Sequence, residues 1–182
     1  MRLNQLTETN DILYHGDDYG TTALNPQWMM HGTSNNQEGV GIYFSPDIEV
    51  AKSYGSKISS ISATGLRIAN SRSPLRKAIP KKSAIQLMIY LNEVNDEFWY
   101  KVSDYVEVTG PEDINEYHFR QLYDMMQQQE IRDWQIEMAQ ASSTIDLVEG
   151  WNKFIPLDGL YESDSQFYAI INTKIPVTKV NF

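Results

Sequence analysis

The chain has 182 residues, 41% apolar and 21% charged, with 15 basic and 24 acidic residues and no Cys. This is the length of one domain and the composition of an ordinary globular protein, so disorder as the whole answer is excluded. The missing Cys excludes disulfides, thiolate metal sites and a Cys nucleophile, and no apolar run approaches the roughly 20 residues that span a bilayer.

Taken in chain order, residues 11–14 read as a short buried strand that ends at His15-Gly16-Asp17-Asp18. Residues 16–41, rich in Gly, Asn, Asp and Thr, read as a long loop, and a loop of that length inside a compact domain is usually functional. Its Asn35-Asn36-Gln37-Glu38-Gly39 run is turn chemistry, with a role in holding a nucleoside as the alternative. Residues 40–45 predict a second strand. A helix follows, with Ser45 as N-cap, Pro46 in the first turn and Gly55 as the stop. Residues 57–61 predict a further strand.

Residues 65–82 read mostly as a basic loop. Between Glu49 and Glu93 there are eight Lys and Arg and no acid, so this stretch carries +8 and the rest of the chain −17. A field that acidic disfavours indiscriminate nucleic-acid binding. The basic stretch is either a solvated loop or a seat for a phosphorylated ligand. Residues 83–106 show helical spacing. Further helices are expected over about 112–129, up to about 138–141, and over 144–154. Tyr117, Leu122, Met125 and Met126 should face inward, and His118 should sit at the surface. Residues 158–161, 166–171 and 174–180 are strand-like. Strands, then helices, then strands predict an α+β fold in a single domain, 1–182, with a helical insertion at about 83–154.

Three pieces carry chemistry. They are Leu13-Tyr14-His15-Gly16 at a strand end, Gly39-Val40-Gly41-Ile42-Tyr43-Phe44-Ser45 before a helix containing Ala51-Lys52-Ser53-Tyr54, and Asp158-Gly159-Leu160-Tyr161 followed by a polar loop and Gln166-Phe167-Tyr168-Ala169-Ile170-Ile171. This set resembles the diphtheria-toxin-like branch of the ADP-ribosyltransferases. That branch includes the poly-ADP-ribose polymerase catalytic domain and carries a His-Tyr-Glu signature. The resemblance covers about residues 11–62 and 156–180, and its second motif is the most specific. It implies a split, two-sheet, mostly antiparallel core and NAD as substrate.

The same resemblance implies roles. Gly16 would clamp the nicotinamide carboxamide with its backbone, His15 would bond a ribose hydroxyl, Tyr43 would stack on the nicotinamide, and Tyr54 would form a second aromatic wall. Ala51 stands where many members carry a hydroxyl residue that touches the carboxamide. Gln166 stands where the catalytic Glu belongs, with Glu162 and Asp164 in the preceding loop able to reach in. Gln can bond a ribose hydroxyl but offers no charge to an oxocarbenium. The loss of a charge-assisted hydrogen bond is worth about 1.5–3 kcal/mol, or roughly 10- to 150-fold in rate. His31-Gly32-Thr33 rivals the first motif, but Pro26 spoils a strand before it.

The implied activity is mono-ADP-ribosyl transfer from NAD to a macromolecular acceptor, protein or nucleic acid, with no metal and no polymer. The alternatives are an inactive NAD- or ADP-ribose-binding module and an NAD glycohydrolase. Members of this size are commonly toxins, phage proteins or effectors. Since residues 1–5 do not read as a secretory signal, a cytoplasmic site, the host's in those cases, is expected.

Overall fold

The computed structural model describes residues 12–30 and 38–182. The readings placed on Asp11, His31, Asn35, Asn36 and Gln37 lie outside these. The chain divides into two units, one of Met1–Asn70 with Leu157–Phe182, the other of Ser71–Pro156.

The first unit is built on two sheets. β1 (Ile12–Asp17), β3 (Lys57–Ser62) and β7 (Thr178–Val180) form one, in the order β1-β3-β7. β2 (Ile42–Phe44), β6 (Phe167–Ile170), β5 (Gly159–Glu162) and β4 (Ile68–Asn70) form the other, in the order β2-β6-β5-β4. All pairings are antiparallel except β4 with β5. The sheets meet at one bridge, where Tyr14 N–H donates to the Ser45 carbonyl at 2.7 Å and Ser45 N–H to the Tyr14 carbonyl at 2.8 Å. With the helices of the second unit this is an α+β chain with two mostly antiparallel sheets, as expected at the level of class.

Three local expectations are corrected. The helix after β2 is short, α1 (Ile48–Lys52), and its N-cap is Asp47, whose carboxylate accepts from Glu49 N–H at 2.8 Å. Ser45 is tied up instead in the bridge to β1, and its hydroxyl accepts from Asp47 N–H. Gly55 does not stop the helix, whose C-cap is Ser53. A Cβ at Gly55 would fall 2.2 Å from the Asp17 carbonyl carbon, so this glycine is required by close packing on β1. Nor is 65–82 mostly loop: it holds β4, α2 (Leu75–Ala78) and the start of α3 (Lys81–Val94).

The edge of the second sheet is fastened by Asp158, 4% exposed. Its carboxylate accepts from Arg67 N–H at 2.7 Å, from Arg67 Nη2 at 3.1 Å and from Asn172 Nδ2 at 2.7 Å. Burial raises the Asp158 pKa, but these donors outweigh it, and the net shift is downward.

The second unit packs α3, α4 (Phe98–Ser103), α5 (Glu116–Met126), α6 (Ile131–Ala141) and α7 (Thr144–Phe154) around the fully buried Trp134 and Trp151. The helix expected over 83–106 is broken at Asn95. Its carbonyl oxygen in the side chain accepts from Glu97 N–H, while its side-chain amide donates to the Ser142 carbonyl. On α5 the buried set is Phe119, Leu122, Tyr123 and Met126. Tyr117 and Met125, expected inside, are 62% and 61% exposed. The reason is spacing: Phe119, Leu122, Tyr123 and Met126 fall at i, i+3, i+4 and i+7 on one stripe, and Tyr117 and Met125 lie off it. Asn115 caps the helix, and His118 Nδ1 accepts from Asn115 N–H at 3.1 Å to complete a capping box. His118 is therefore a capping residue at the surface.

Candidate active site

His15 on β1 and Tyr43 on β2 lie beside the bridge between the two sheets and are hydrogen-bonded to each other. His15 Nδ1 donates to the Tyr43 carbonyl at 2.8 Å, and the His15 ring packs on Phe44 at 5.4 Å between centroids. His15 Nε2 faces Asp17 Oδ2 at 3.2 Å. Asp17 also accepts from the N–H groups of Tyr19, Gly20 and Thr21 and from the Thr21 hydroxyl. Burial acts to raise the Asp17 pKa, but these donors prevail and hold it below the usual carboxylate value.

Gly16 follows, and among the described residues none bonds its backbone N–H or C=O. Successive residues of a strand point their N–H and C=O groups to opposite sides, so Gly16 presents its pair on the same edge as Tyr14. On that edge Tyr14 meets Ser45, whereas no described residue is bonded to Gly16. The other reason for glycine here is packing: a Cβ would fall 1.8 Å from the Ala51 carbonyl oxygen. Ala51 is 2% exposed, so its part in the site is to back Gly16 rather than to offer a surface.

Tyr43 has its hydroxyl donated to the Gly39 carbonyl at 2.8 Å. Burial, and then the charge of Glu38, push that hydroxyl well above the usual tyrosine range. Directly paired residues share a sheet face, and so do residues two apart along a strand. Tyr43, Ala169, Phe167, Leu160 and Glu162 therefore line one face of the four-stranded sheet. Phe167 touches both expected aromatic walls, with its ring 6.4 Å from Tyr43 and 5.7 Å from the half-exposed Tyr54, edge-on to the latter.

The third motif differs from its expectation. Gln166 does not open β6. It is exposed, at the end of the β5–β6 turn, with a φ of 60° and its N–H donated to the Glu162 carbonyl at 2.8 Å. Glu162, by contrast, is 2% exposed at the end of β5, and its carboxylate accepts from Asp164 N–H. A second carboxylate, in the run expected to be turn chemistry or a nucleoside hold, is buried as well. Glu38 is 3% exposed and accepts from the Ser165 hydroxyl at 2.6 Å. Phe167 was missed. The alternation along Phe167-Tyr168-Ala169 carries its signal, because it puts Phe167 on the face of Tyr43. Nothing in sequence marks Glu38, whose burial arises from contact with a turn far along the chain.

Of the basic segment, Arg67 is spent on Asp158 and Lys81 pairs with Asp124 at 2.6 Å. In the helical unit a groove of about 650 Å³ is lined by Lys81, Lys82, Ile89, Tyr90, Arg120 and Phe154 among others. Among the described residues no helix is long and apolar enough to cross a membrane. Among them, too, no three His, Asp or Glu are grouped to hold a metal ion.

No family model matches the chain, and no curated protein matches it. Among solved structures it is similar to the crystal structure of an anti-CRISPR protein over 97% of its own length and 100% of the other chain. The identity is 12% and the TM-score 0.40, a likeness too low to bear on fold or function.

Proposed function

We propose that the chain is a mono-ADP-ribosyltransferase, which binds NAD at His15, Gly16 and Tyr43 and passes ADP-ribose to a macromolecular nucleophile. The observation that carries this reading is the His15–Tyr43 hydrogen bond, which joins the first two motifs at one point beside the Gly16 backbone, unbonded among the described residues. The two mostly antiparallel sheets, bridged at Tyr14 and Ser45, are compatible with the split core the reading requires.

Each residue has a physical part. The N–H and C=O of Gly16 match the donor and acceptor of a carboxamide. The Tyr43 ring offers a stacking face, and its hydroxyl is held by Gly39, so the ring is positioned before any ligand arrives. His15 is oriented by the Tyr43 carbonyl, and a ribose hydroxyl would meet its Nε2 beside Asp17, which lies 3.2 Å from that nitrogen. Phe167, in contact with both Tyr43 and Tyr54, must turn aside or serve as a third wall when a nicotinamide enters.

NAD titration by calorimetry tests the reading. The intact chain is expected to bind, and Tyr43→Ala to lose binding with its stacking surface. Equal affinity in the two proteins would refute the site. The exposed position of Gln166 favours a second reading, an NAD- or ADP-ribose-binding module without turnover. Binding without nicotinamide release would select it.

A further inference from the structure

We propose that Glu38 supplies the negative charge that position 166 lacks, acting on the cation that forms at the ribose when the nicotinamide bond breaks. This rests on the transferase reading of the same site. Glu38 is 3% exposed, and among the described residues no Lys, Arg or His lies within ion-pair distance of it. Its neighbours are the Ser165 hydroxyl and the half-buried Tyr43. A buried carboxylate without a cation is costly to keep, and such groups concentrate where charge develops in a reaction.

Its position is the second argument. Ser165, which holds Glu38 Oε1 at 2.6 Å, directly precedes Gln166, where the third motif should carry its carboxylate. Glu38 also lies on the Tyr43 side, close enough for its charge to act on the Tyr43 hydroxyl. One carboxylate thus touches both the aromatic stacking residue and the turn of the missing acid, from a different stretch of chain.

In the step itself the bond between the ribose anomeric carbon and the nicotinamide nitrogen breaks, and its electron pair leaves with neutral nicotinamide. The anomeric carbon, now cationic, takes a lone pair from the acceptor, which releases its proton to solvent. Glu38 neither bonds nor transfers a proton. It lowers the energy of the cation by its charge, from a position that is itself 3% exposed.

The test is steady-state nicotinamide release from NAD by the full chain and its Glu38→Gln and Glu38→Asp variants, with NAD affinity measured in parallel. Glu38→Gln is expected to lower kcat roughly 10- to 150-fold with NAD affinity unchanged. Glu38→Asp, which keeps the charge, is expected to retain clearly more. Wild-type kcat in Glu38→Gln overturns the proposal and leaves the transferase reading intact. Loss of NAD affinity together with rate, or equal losses in both variants, makes Glu38 a structural group and overturns it too. An intact chain that neither binds nor cleaves NAD removes the transferase reading itself, and this proposal with it.

Discussion

In the strand-rich unit Glu38, Asp158 and Glu162 are buried at 3%, 4% and 2% exposure, whereas the buried polar side chains of the helical unit, among the described residues, are the neutral Ser71 and Gln135. The helical unit instead buries Trp134 and Trp151, with ring centroids 6.5 Å apart. One region keeps charge in places where charge is expensive. The other is filled by the hydrophobic effect in the ordinary way. Asp158 accounts for its burial through Arg67 and Asn172, so it is a fastening. Glu38 is held by the Ser165 hydroxyl, with no Lys, Arg or His at ion-pair distance among the described residues, and this contrast singles out the Tyr43 face.

The largest effect that sharpens the comparison belongs to the helical core. Trp151→Ala should cost about 3–5 kcal/mol by leaving a cavity. Urea unfolding followed by tryptophan fluorescence reads this unit well, because Trp99, Trp134 and Trp151 lie in it and only Trp28 in the other.

Asp158→Asn comes next, at about 1.5–3 kcal/mol, the range for a hydrogen bond to a charged group. Its pKa is lowered in the folded chain, so the unfolded chain takes up the proton first as pH falls. The stabilisation is fully present above the unfolded value of about 4 and is lost below it, as pH falls through the folded value. The variant should therefore show a weaker loss of stability between about pH 5 and 3 than the intact chain. A parallel acid-unfolding curve would show that Asp158 is no fastening, and the contrast with Glu38 would fail.

The smallest effects sit at the turns. Asn115→Ala should destabilise α5 by about 1 kcal/mol through loss of its cap. Gln166→Gly should do the opposite, stabilising by about 1 kcal/mol, because a residue with a side chain is held there at a φ of 60°. Thermal melts of the two variants should shift in opposite directions. A destabilised Gln166→Gly would mean that the Gln166 side chain makes a contact worth more than the strain.

What was legible in the sequence depended on whether the deciding contacts were local. The run from Val40 to Ser45 reads as a strand and holds β2, and His15 and Tyr43 come together. The α+β class followed from the order of periodic segments. β4 was missed because three residues carry no measurable period, and its evidence is its parallel partner 91 residues on, as in Ile68 with Gly159. Tyr117 and Met125 are apolar but lie off the stripe of Phe119, Leu122, Tyr123 and Met126, so apolar character without the i, i+3, i+4, i+7 spacing misplaces them. Gln166 looked like a strand opener because left-handed turn positions are normally signalled by Gly or Asn, and here neither is present. Glu38 and Phe167 gain their meaning from Ser165 and from Tyr43 and Tyr54, contacts that no window of sequence contains.

The proposed site of the His15–Tyr43 pair and the Gly16 backbone stands or falls on NAD cleavage. The most direct measurement is nicotinamide release from NAD by the purified chain, with and without a cell lysate as the source of acceptor. The account predicts release that rises when lysate is added, with ADP-ribose recovered on a macromolecule. No release under either condition, with no NAD binding by calorimetry, would contradict it.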